Sequence, residues 1–216
     1  SMHSLIGIVI GLLLVFRNTT GYERWWDGRK IIGNLSQEIS MISIRLNLID
    51  GNTKEVISIR TNIDVFLKRL CDYLRSGDDG TESEGFHIEQ TKSIQKSMVS
   101  LKRLNPNDMV VDELNKSIGM LLSYSNSLER IKNTPIPISY KLHIKISILI
   151  YLMTLAFGMF HELGVWGAPL VMLVYYIIAG VEIISNEIEN PFGSDPNDLP
   201  TEELFSVIRK SLWIKN

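Results

Sequence analysis

Apolar residues are concentrated in three runs near the two ends of the chain. The first, LIGIVIGLLLVF, covers residues 5–16 and would form about 18 Å of helix, less than the hydrocarbon core of about 30 Å. The second covers residues 146–160, and the third, at 163–181, has nineteen uncharged residues, or about 28 Å of helix. The pattern predicts transmembrane helices over residues 140–185. Buried helices of a soluble bundle are the alternative.

Between these runs, residues 17–139 are charged and amphipathic. Residues 22–48 contain few helix breakers and predict one long helix. Asn52 followed by Glu55 has the spacing of a capping box at the start of the next helix. The apolar residues of that helix recur at steps of three and four, at Ile59, Ile63, Leu67, Leu70 and Leu74. The pattern therefore predicts a water-facing helical bundle.

Breaks in the middle of the chain are marked by Gly, Pro and acidic residues. The segment SGDDGTESEG at 76–85 is predicted to be a disordered loop. A helix over 87–104 ends at the Asn-Pro-Asn sequence 105–107, and Thr-Pro-Ile-Pro at 134–137 ends the next helix, because proline lacks an N–H group. The helix between these breaks repeats apolar residues at Val111, Leu114, Ile118, Leu121 and Leu128. No alternating strand pattern competes, so the predicted fold class is all-α.

Composition excludes several classes of function. A net charge of −2 gives no basic excess for binding nucleic acid. The one cysteine, Cys71, cannot form an intrachain disulfide. His161-Glu162 begins like a zinc protease motif, but residue 165 is Val, so the second histidine is missing. These observations predict a protein that is not an enzyme and requires no cofactor.

Three stretches together resemble the bestrophin family of ion channels and its bacterial members. They are GIVIGLLLVFRNTTGYERWWDGRKIIGNL at 7–35, TPIPISY at 134–140 and IENPFGSDPNDLPTEEL at 188–204. The resemblance covers nearly the whole chain in the order of the family. It makes residues 1–216 a single bestrophin-like domain, with an acidic loop and C-terminal helix over 186–216. The first transmembrane helix of the family is absent, so we expect the natural protein to extend further toward the N-terminus.

The resemblance implies a homopentamer around a central pore whose narrow neck is lined by the helix at 4–16. Ile8, Leu12 and Phe16 match the neck positions. Their spacing of i, i+4 and i+8 places them on one helix face independently of the resemblance. Five copies would form three apolar rings, which resist ion passage by dewetting. Ordinary packing between helices is the alternative role of this face.

A second constriction is implied at Met109. This residue follows the Asn-Pro-Asn turn and matches the cytosolic aperture of the family. A core or surface methionine is the alternative. The sequence alone does not distinguish these roles.

The acidic segment resembles the calcium clasp of animal bestrophins. The match implies side-chain ligands at Asp195 and Asp198 and backbone carbonyl ligands at Glu187 and Asn190. Calcium binds six to eight hard oxygens of these kinds. The N-terminal carbonyl that completes the clasp is absent from this chain. A solvated turn before a capped helix at 199–214 is the alternative, with Glu202 and Glu203 favoured by the helix dipole.

Charged and aromatic residues after the first run have more ordinary interpretations. Arg17, Arg24 and Arg29 could bias ions near the pore, but the acidic residues around them favour salt bridges between subunits. Trp25 and Trp26 are predicted to anchor helix packing. Glu182, at the end of the third run, is a candidate functional site because ionisable residues near a membrane are costly.

The sequence therefore predicts a pentameric channel that passes small monovalent ions passively, in contact with lipid. The expected location is a cell membrane, as a multi-pass protein of the bacterial inner membrane. The uncharged neck does not determine the sign of the ion, and the prokaryotic character of the chain favours cations such as sodium slightly over chloride. A non-conducting membrane scaffold or helical bundle is the alternative.

Overall fold

The computed structural model describes residues 2–49, 53–76 and 86–214, and in these ranges the chain is helical without strands. The predicted all-α class is therefore confirmed. The helices are α1 (Met2–Leu48), α2 (Lys54–Arg75), α3 (Phe86–Leu104), α4 (Met109–Asn133), α5 (Ile138–Leu163), α6 (Gly167–Glu189) and α7 (Thr201–Leu212).

Helix α1 differs most from the sequence-based expectation. The helices expected over 4–16 and 22–48 are one continuous helix, without an interruption at Arg17. Asn52, predicted as the N-cap of the following helix, lies outside the described residues. Residues 77–85, which belong to the segment predicted to be disordered, also lie outside them. Helix α2 begins at Lys54, so its N-cap is Thr53, one residue later than expected.

The chain forms two compact units. The first unit comprises Ser1–Trp26, Thr134–Pro191 and Asp195–Asp198. The second comprises Asp27–Asn133, Phe192–Ser194 and Leu199–Asn216. Each unit is formed by segments that are far apart in sequence.

The first unit contains the start of α1 together with α5 and α6. A short 3₁₀ turn at Gly164–Trp166 joins α5 to α6. Gly164 has a φ of +56°, a conformation that residues with a side chain adopt rarely. A Cβ atom on Gly167 would lie 2.7 Å from the Met159 carbonyl oxygen. These glycines therefore allow α5 and α6 to pack closely at the turn.

Most apolar side chains of the first unit lie on its outside. Its buried apolar cluster consists of Ile10, Leu14 and Ile144. By length and composition, the helical stretches His3–Leu48 and Ile138–Glu189 could cross a membrane, and only 22% and 6% of their most apolar windows are buried in the chain. A core helix of a soluble protein would be mostly buried. This exposure favours a lipid environment.

The second unit has an ordinary apolar core. Helix α2 packs against α3, α4 and α7. The predicted core residues of α2 and α4 are buried, together with α1 residues Ile32, Leu35, Ile39, Ile42 and Leu46. Arg209 of α7 binds Asp64 of α2 through two hydrogen bonds of 2.8 Å. Helix α7 begins at Thr201, two residues later than predicted, because Leu199-Pro200 precedes it in a non-helical conformation.

Candidate functional site

Within the first unit, one face of the first part of α1 packs against α5 and α6. The residues on this face alternate in steps of three and four: Gly7, Ile10, Leu14, Arg17, Gly21 and Arg24. Ile10 and Leu14 are buried, and Gly21 lies against Ile188, whose Cγ1 would be 3.0 Å from a Cβ atom at residue 21. This spacing follows the helical repeat, so packing of this face fixes the rotation of α1 about its own axis.

The neck candidates lie on the opposite face of α1. Ile8, Leu12 and Phe16 are 68%, 53% and 56% exposed. Successive residues of the three are about 6 Å apart along the helix axis. None of them packs into the cluster of Ile10, Leu14 and Ile144, so within the described part of the chain this face is left for contact with lipid, water or another copy.

Arg17 connects α1 to α6 by polar contacts within the chain. Its side chain is fully buried and donates to Glu182 at 3.4 Å and to Asn186. Asn186 also donates to Glu182, at 2.9 Å, and Lys145 of α5 lies 3.5 Å from the same Glu182 oxygen. The structure thus gives Arg17 partners in its own chain, where the sequence interpretation had favoured salt bridges between subunits. Glu182 accordingly faces protein and pairs with two cations.

Arg24 and Trp25 of α1 donate hydrogen bonds to backbone carbonyls of segments that are distant in sequence. Arg24 Nε donates to the Glu189 carbonyl at 3.0 Å, and its guanidinium also reaches the Thr134 carbonyl at 2.5 Å. Trp25 Nε1 donates to the Asn197 carbonyl at 3.0 Å. The Trp25 ring also stacks on Trp26, with centroids 6.5 Å apart. These contacts agree with the predicted anchoring role for Trp25 and tie α1 to the acidic loop, whereas Trp26 is 47% exposed.

Glu189 is a site residue that the sequence analysis missed. Its side chain is 5% exposed, and one carboxylate oxygen accepts from the Ile136 N–H at 3.1 Å and pairs with Lys141 at 2.7 Å. The carboxylate therefore fixes the Pro-Ile-Pro segment to the end of α6. Glu189 lies eight residues beyond the apolar run that ends at Val181, and its partners are about fifty residues away in sequence, so no local signal distinguished it from its acidic neighbours.

The acidic loop brings its two aspartates together. Asp198 accepts from the Asp195 N–H at 2.6 Å, and the Asp195 carbonyl accepts from the Asp198 N–H at 3.0 Å. The other Asp198 carboxylate oxygen is buried and has no hydrogen-bond partner in the described part of the chain. Burial raises the pKa of Asp198 above its usual value, and the nearby Asp195 and Glu187 charges add to this effect. A bound cation would give the unpartnered Asp198 oxygen a partner and would favour the ionised form of the carboxyl group.

The remaining clasp candidates lie at the start of the same loop. The Glu187 carbonyl accepts from the Asn190 N–H at 3.3 Å, and the Glu187 carboxylate accepts from Asn197 at 2.6 Å. Within the described ranges, no three His, Cys, Asp or Glu side chains are grouped as metal ligands. A cation here would therefore need backbone carbonyls besides the Asp195 and Asp198 carboxylates, which is the donor mixture typical of calcium.

Met109 lies in the second unit, as the first residue of α4. It is 77% exposed, and Asp108 before it caps the helix by accepting from the Val110 N–H at 2.8 Å. The Asn-Pro-Asn turn was correctly predicted to precede it. Its exposure means that Met109 contributes little to the core of its own unit.

Comparison with known proteins gives a consistent result. Residues 1–214 match the sequence family described as "Bacterial/Fungal Bestrophin protein". A protein from a Nostoc species, named as a voltage-dependent anion channel-forming protein, is 32% identical, and the match covers 95% of this chain and 74% of the relative. The Escherichia coli protein YneE carries the same description and is 24% identical over 99% of this chain and 75% of its own length.

Solved structures share the fold. A crystal structure of a bacterial bestrophin homologue from Klebsiella pneumoniae with one substitution has a TM-score of 0.87 and 21% identity, covering 97% of this chain and 85% of that chain. A second structure of the homologue, solved by zinc phasing, has a TM-score of 0.86 with 21% identity and covers 97% of this chain and 84% of that chain. At this level of identity the likeness establishes the fold alone.

Proposed function

The chain belongs to the bacterial and fungal bestrophin family, and from this we propose that it is a subunit of a passive ion channel in a cell membrane. The family and the channel names of its relatives identify a channel and not an enzyme. Apolar outer surfaces on α5 and α6 support the membrane location. The expected placement is multi-pass in the bacterial inner membrane, with the basic start of α5 on the cytoplasmic side.

The observation that carries the channel proposal is the uncovered apolar face of α1. Ile8, Leu12 and Phe16 leave large apolar surfaces exposed although a packed face lies opposite them. Five copies arranged with this face toward a common axis would form three apolar rings and a gate that opens by wetting. Counting subunits by native mass spectrometry in detergent should give a pentamer, and a monomer would contradict the arrangement.

Replacing Ile8, Leu12 and Phe16 together by Ala tests the neck. The triple variant should raise conductance in planar bilayers, because smaller side chains widen and hydrate the rings. The matched control is Ile6→Ala, which shortens an exposed apolar residue of the same helix about 120° away from Leu12 around the helix axis. Equal conductance of the triple variant and the wild type would remove the neck assignment, and no conductance in either would favour the scaffold alternative.

The sign of the permeant ion has two candidates. The names of the relatives specify anions, whereas the prokaryotic character of the sequence led to the expectation of a slight preference for sodium. The three neck residues are uncharged and select for neither. A reversal potential in a potassium chloride gradient gives the sign directly, and Met109→Ala measured in the same way tests the proposed cytosolic aperture.

Calcium is proposed as an optional ligand of the acidic loop, with Asp195 and Asp198 supplying carboxylates and Glu187 and Asn190 supplying carbonyls. The buried, unpartnered oxygen of Asp198 supports this fit. Bound calcium would neutralise the two aspartates and stiffen the loop. Calcium should raise the melting temperature of the wild type and leave the Asp195→Asn/Asp198→Asn variant unchanged, while the exposed Glu203→Gln serves as control. An equal response of all three proteins would exclude the clasp.

A further inference from the structure

A groove lies between α5 and α6 in the first unit. It has a volume of about 250 Å³ and runs along both helices. Lys145 and Glu182 line one end, and the apolar side chains of Ile148, Leu152 and Ile178 line its length. A charged end followed by an apolar channel has the same order of chemistry as the headgroup and acyl chain of a lipid.

Positive charge exceeds negative charge at the polar end. Glu182 is the carboxylate shared by Lys145, at 3.5 Å, and by the buried Arg17, at 3.4 Å. One carboxylate therefore faces two cations. The side chain of Lys145 is 56% exposed, so its ammonium group can also reach a ligand in the headgroup region. This residual charge complements an anionic phosphate and not a zwitterionic headgroup of zero net charge.

The position along the helix agrees with this chemistry. Lys141, His143 and Lys145 precede the apolar part of α5, and basic residues are typical of the cytoplasmic end of a membrane helix. The cytoplasmic leaflet is also where anionic lipids are enriched, and basic pockets between transmembrane helices bind their headgroups. The aliphatic stem of Lys145 can lie along the apolar wall while its ammonium group extends to the interface.

We propose that the groove between α5 and α6 binds one anionic phospholipid, with its phosphate on Lys145 and an acyl chain along Ile148, Leu152 and Ile178. The inference rests on the membrane location in the proposed function and does not require ion conduction. The ligand is a lipid and not free phosphate, because Ile148, Leu152 and Ile178 extend the groove beyond its charged end as far as Tyr175. The bound lipid would contact the same polar network that holds Arg17 of α1.

Native mass spectrometry of the full chain from mixed phosphatidylglycerol and phosphatidylcholine nanodiscs tests this site. The wild type should retain phosphatidylglycerol in preference to phosphatidylcholine. Lys145→Ala should lower that preference about fivefold, the effect of one lysine near an anionic surface, and Lys145→Arg should restore it. The exposed Lys68→Ala in the second unit is the matched control and should retain the preference.

Two further variants separate the site from general damage to the fold. Ala179→Trp fills the groove without changing charge and should abolish retention of the lipid. Glu182→Gln removes the competing carboxylate and should increase retention of phosphatidylglycerol, an effect that misfolding would not produce. Soluble glycerol phosphate should not replace the lipid in these experiments.

Several outcomes would overturn the inference. Equal retention of both lipids, or retention that is unchanged in Lys145→Ala and Ala179→Trp, would do so. A groove covered by another copy of the chain would retain no lipid, with the same consequence. If the wild type stays in the bilayer without the lipid preference, only this inference fails. If it is absent from the membrane fraction, the proposed function fails as well.

Discussion

The two units of this chain are both helical but distribute their apolar residues in opposite ways. In the second unit, Phe66 and its apolar neighbours are completely buried, as in a water-soluble domain. In the first unit, Leu149, Phe157 and Met172 are 59%, 75% and 70% exposed, while Arg17 and Glu189 are buried. Leaving such apolar side chains in water forgoes about 1.5–3 kcal/mol each. The contrast indicates that the surface of the first unit suits lipid and that of the second suits water.

The largest expected effect compares a phenylalanine from each unit. Phe66→Ala should lower the free energy of unfolding by about 3–5 kcal/mol, because it leaves a cavity in a packed core. Phe157→Ala should lower the free energy of unfolding by less than about 1 kcal/mol, because the exposed Phe157 side chain faces lipid and its removal leaves no cavity in a packed core. Thermal unfolding in nanodiscs measures both. Equal losses would show that Phe157 is buried in an interface and would weaken the contrast.

A charge on the outer surface gives the next largest effect. Leu149→Lys should lower membrane insertion by about 2.5–3.5 kcal/mol, the cost of a lysine near the centre of a spanning helix. Val99→Lys, at an exposed position of α3 in the second unit, should change stability by less than about 0.5 kcal/mol. The measured quantity is the fraction of protein recovered with the membrane. Full recovery of Leu149→Lys would mean that this surface faces water.

The buried polar network of the first unit provides a third test. Arg17→Met should lower the free energy of unfolding by about 2 kcal/mol. This loss is smaller than for an isolated buried ion pair, because Lys145 and Asn186 still bind Glu182 in the variant. Adding Glu182→Gln should recover part of this loss, because a neutral amide then replaces a partly buried carboxylate that has lost one of its two cations. Chemical denaturation of the two variants in detergent measures the difference. A double variant less stable than Arg17→Met would contradict the network.

The smallest effect is expected in the acidic loop and depends on pH. Burial raises the pKa of Asp198, so folding favours its protonated form. The resulting stabilisation is complete below the unfolded pKa of about 3.9 and is lost as pH rises through the higher folded value. With calcium chelated, Asp198→Asn should therefore be more stable than the wild type at pH 7, by less than about 1 kcal/mol, and equally stable at low pH. A benefit that is independent of pH would contradict this cause.

Local signals in the sequence predicted much of the fold. The Asn-Pro-Asn and Thr-Pro-Ile-Pro segments end helices because of proline chemistry that needs no tertiary contact, and both breaks are confirmed. The periodic apolar residues of α2 and α4 are likewise buried as predicted. The continuity of α1 was not predicted, since the polar residues from Arg17 onward resemble a boundary until their partners on α6 are known.

Residues of the candidate site were predicted unevenly for the same reason. Ile8, Leu12 and Phe16 share a face by helical geometry alone, and their role stays a prediction. Glu189 was missed because its partners, Ile136 and Lys141, are close only after folding. Sequence spacing identifies faces of single helices. It does not identify polar contacts between segments that are distant in the chain.

The regular alternation of packed residues on α1 also constrains how this gene can change in length. Each residue added to a helix turns everything beyond it by about 100°. One codon inserted between Arg17 and Gly21 would rotate Ile10 and Leu14 out of phase with Arg24. Seven or eleven codons would each change the angle by only about 20°, so insertions of these lengths should be tolerated better than insertions of one codon.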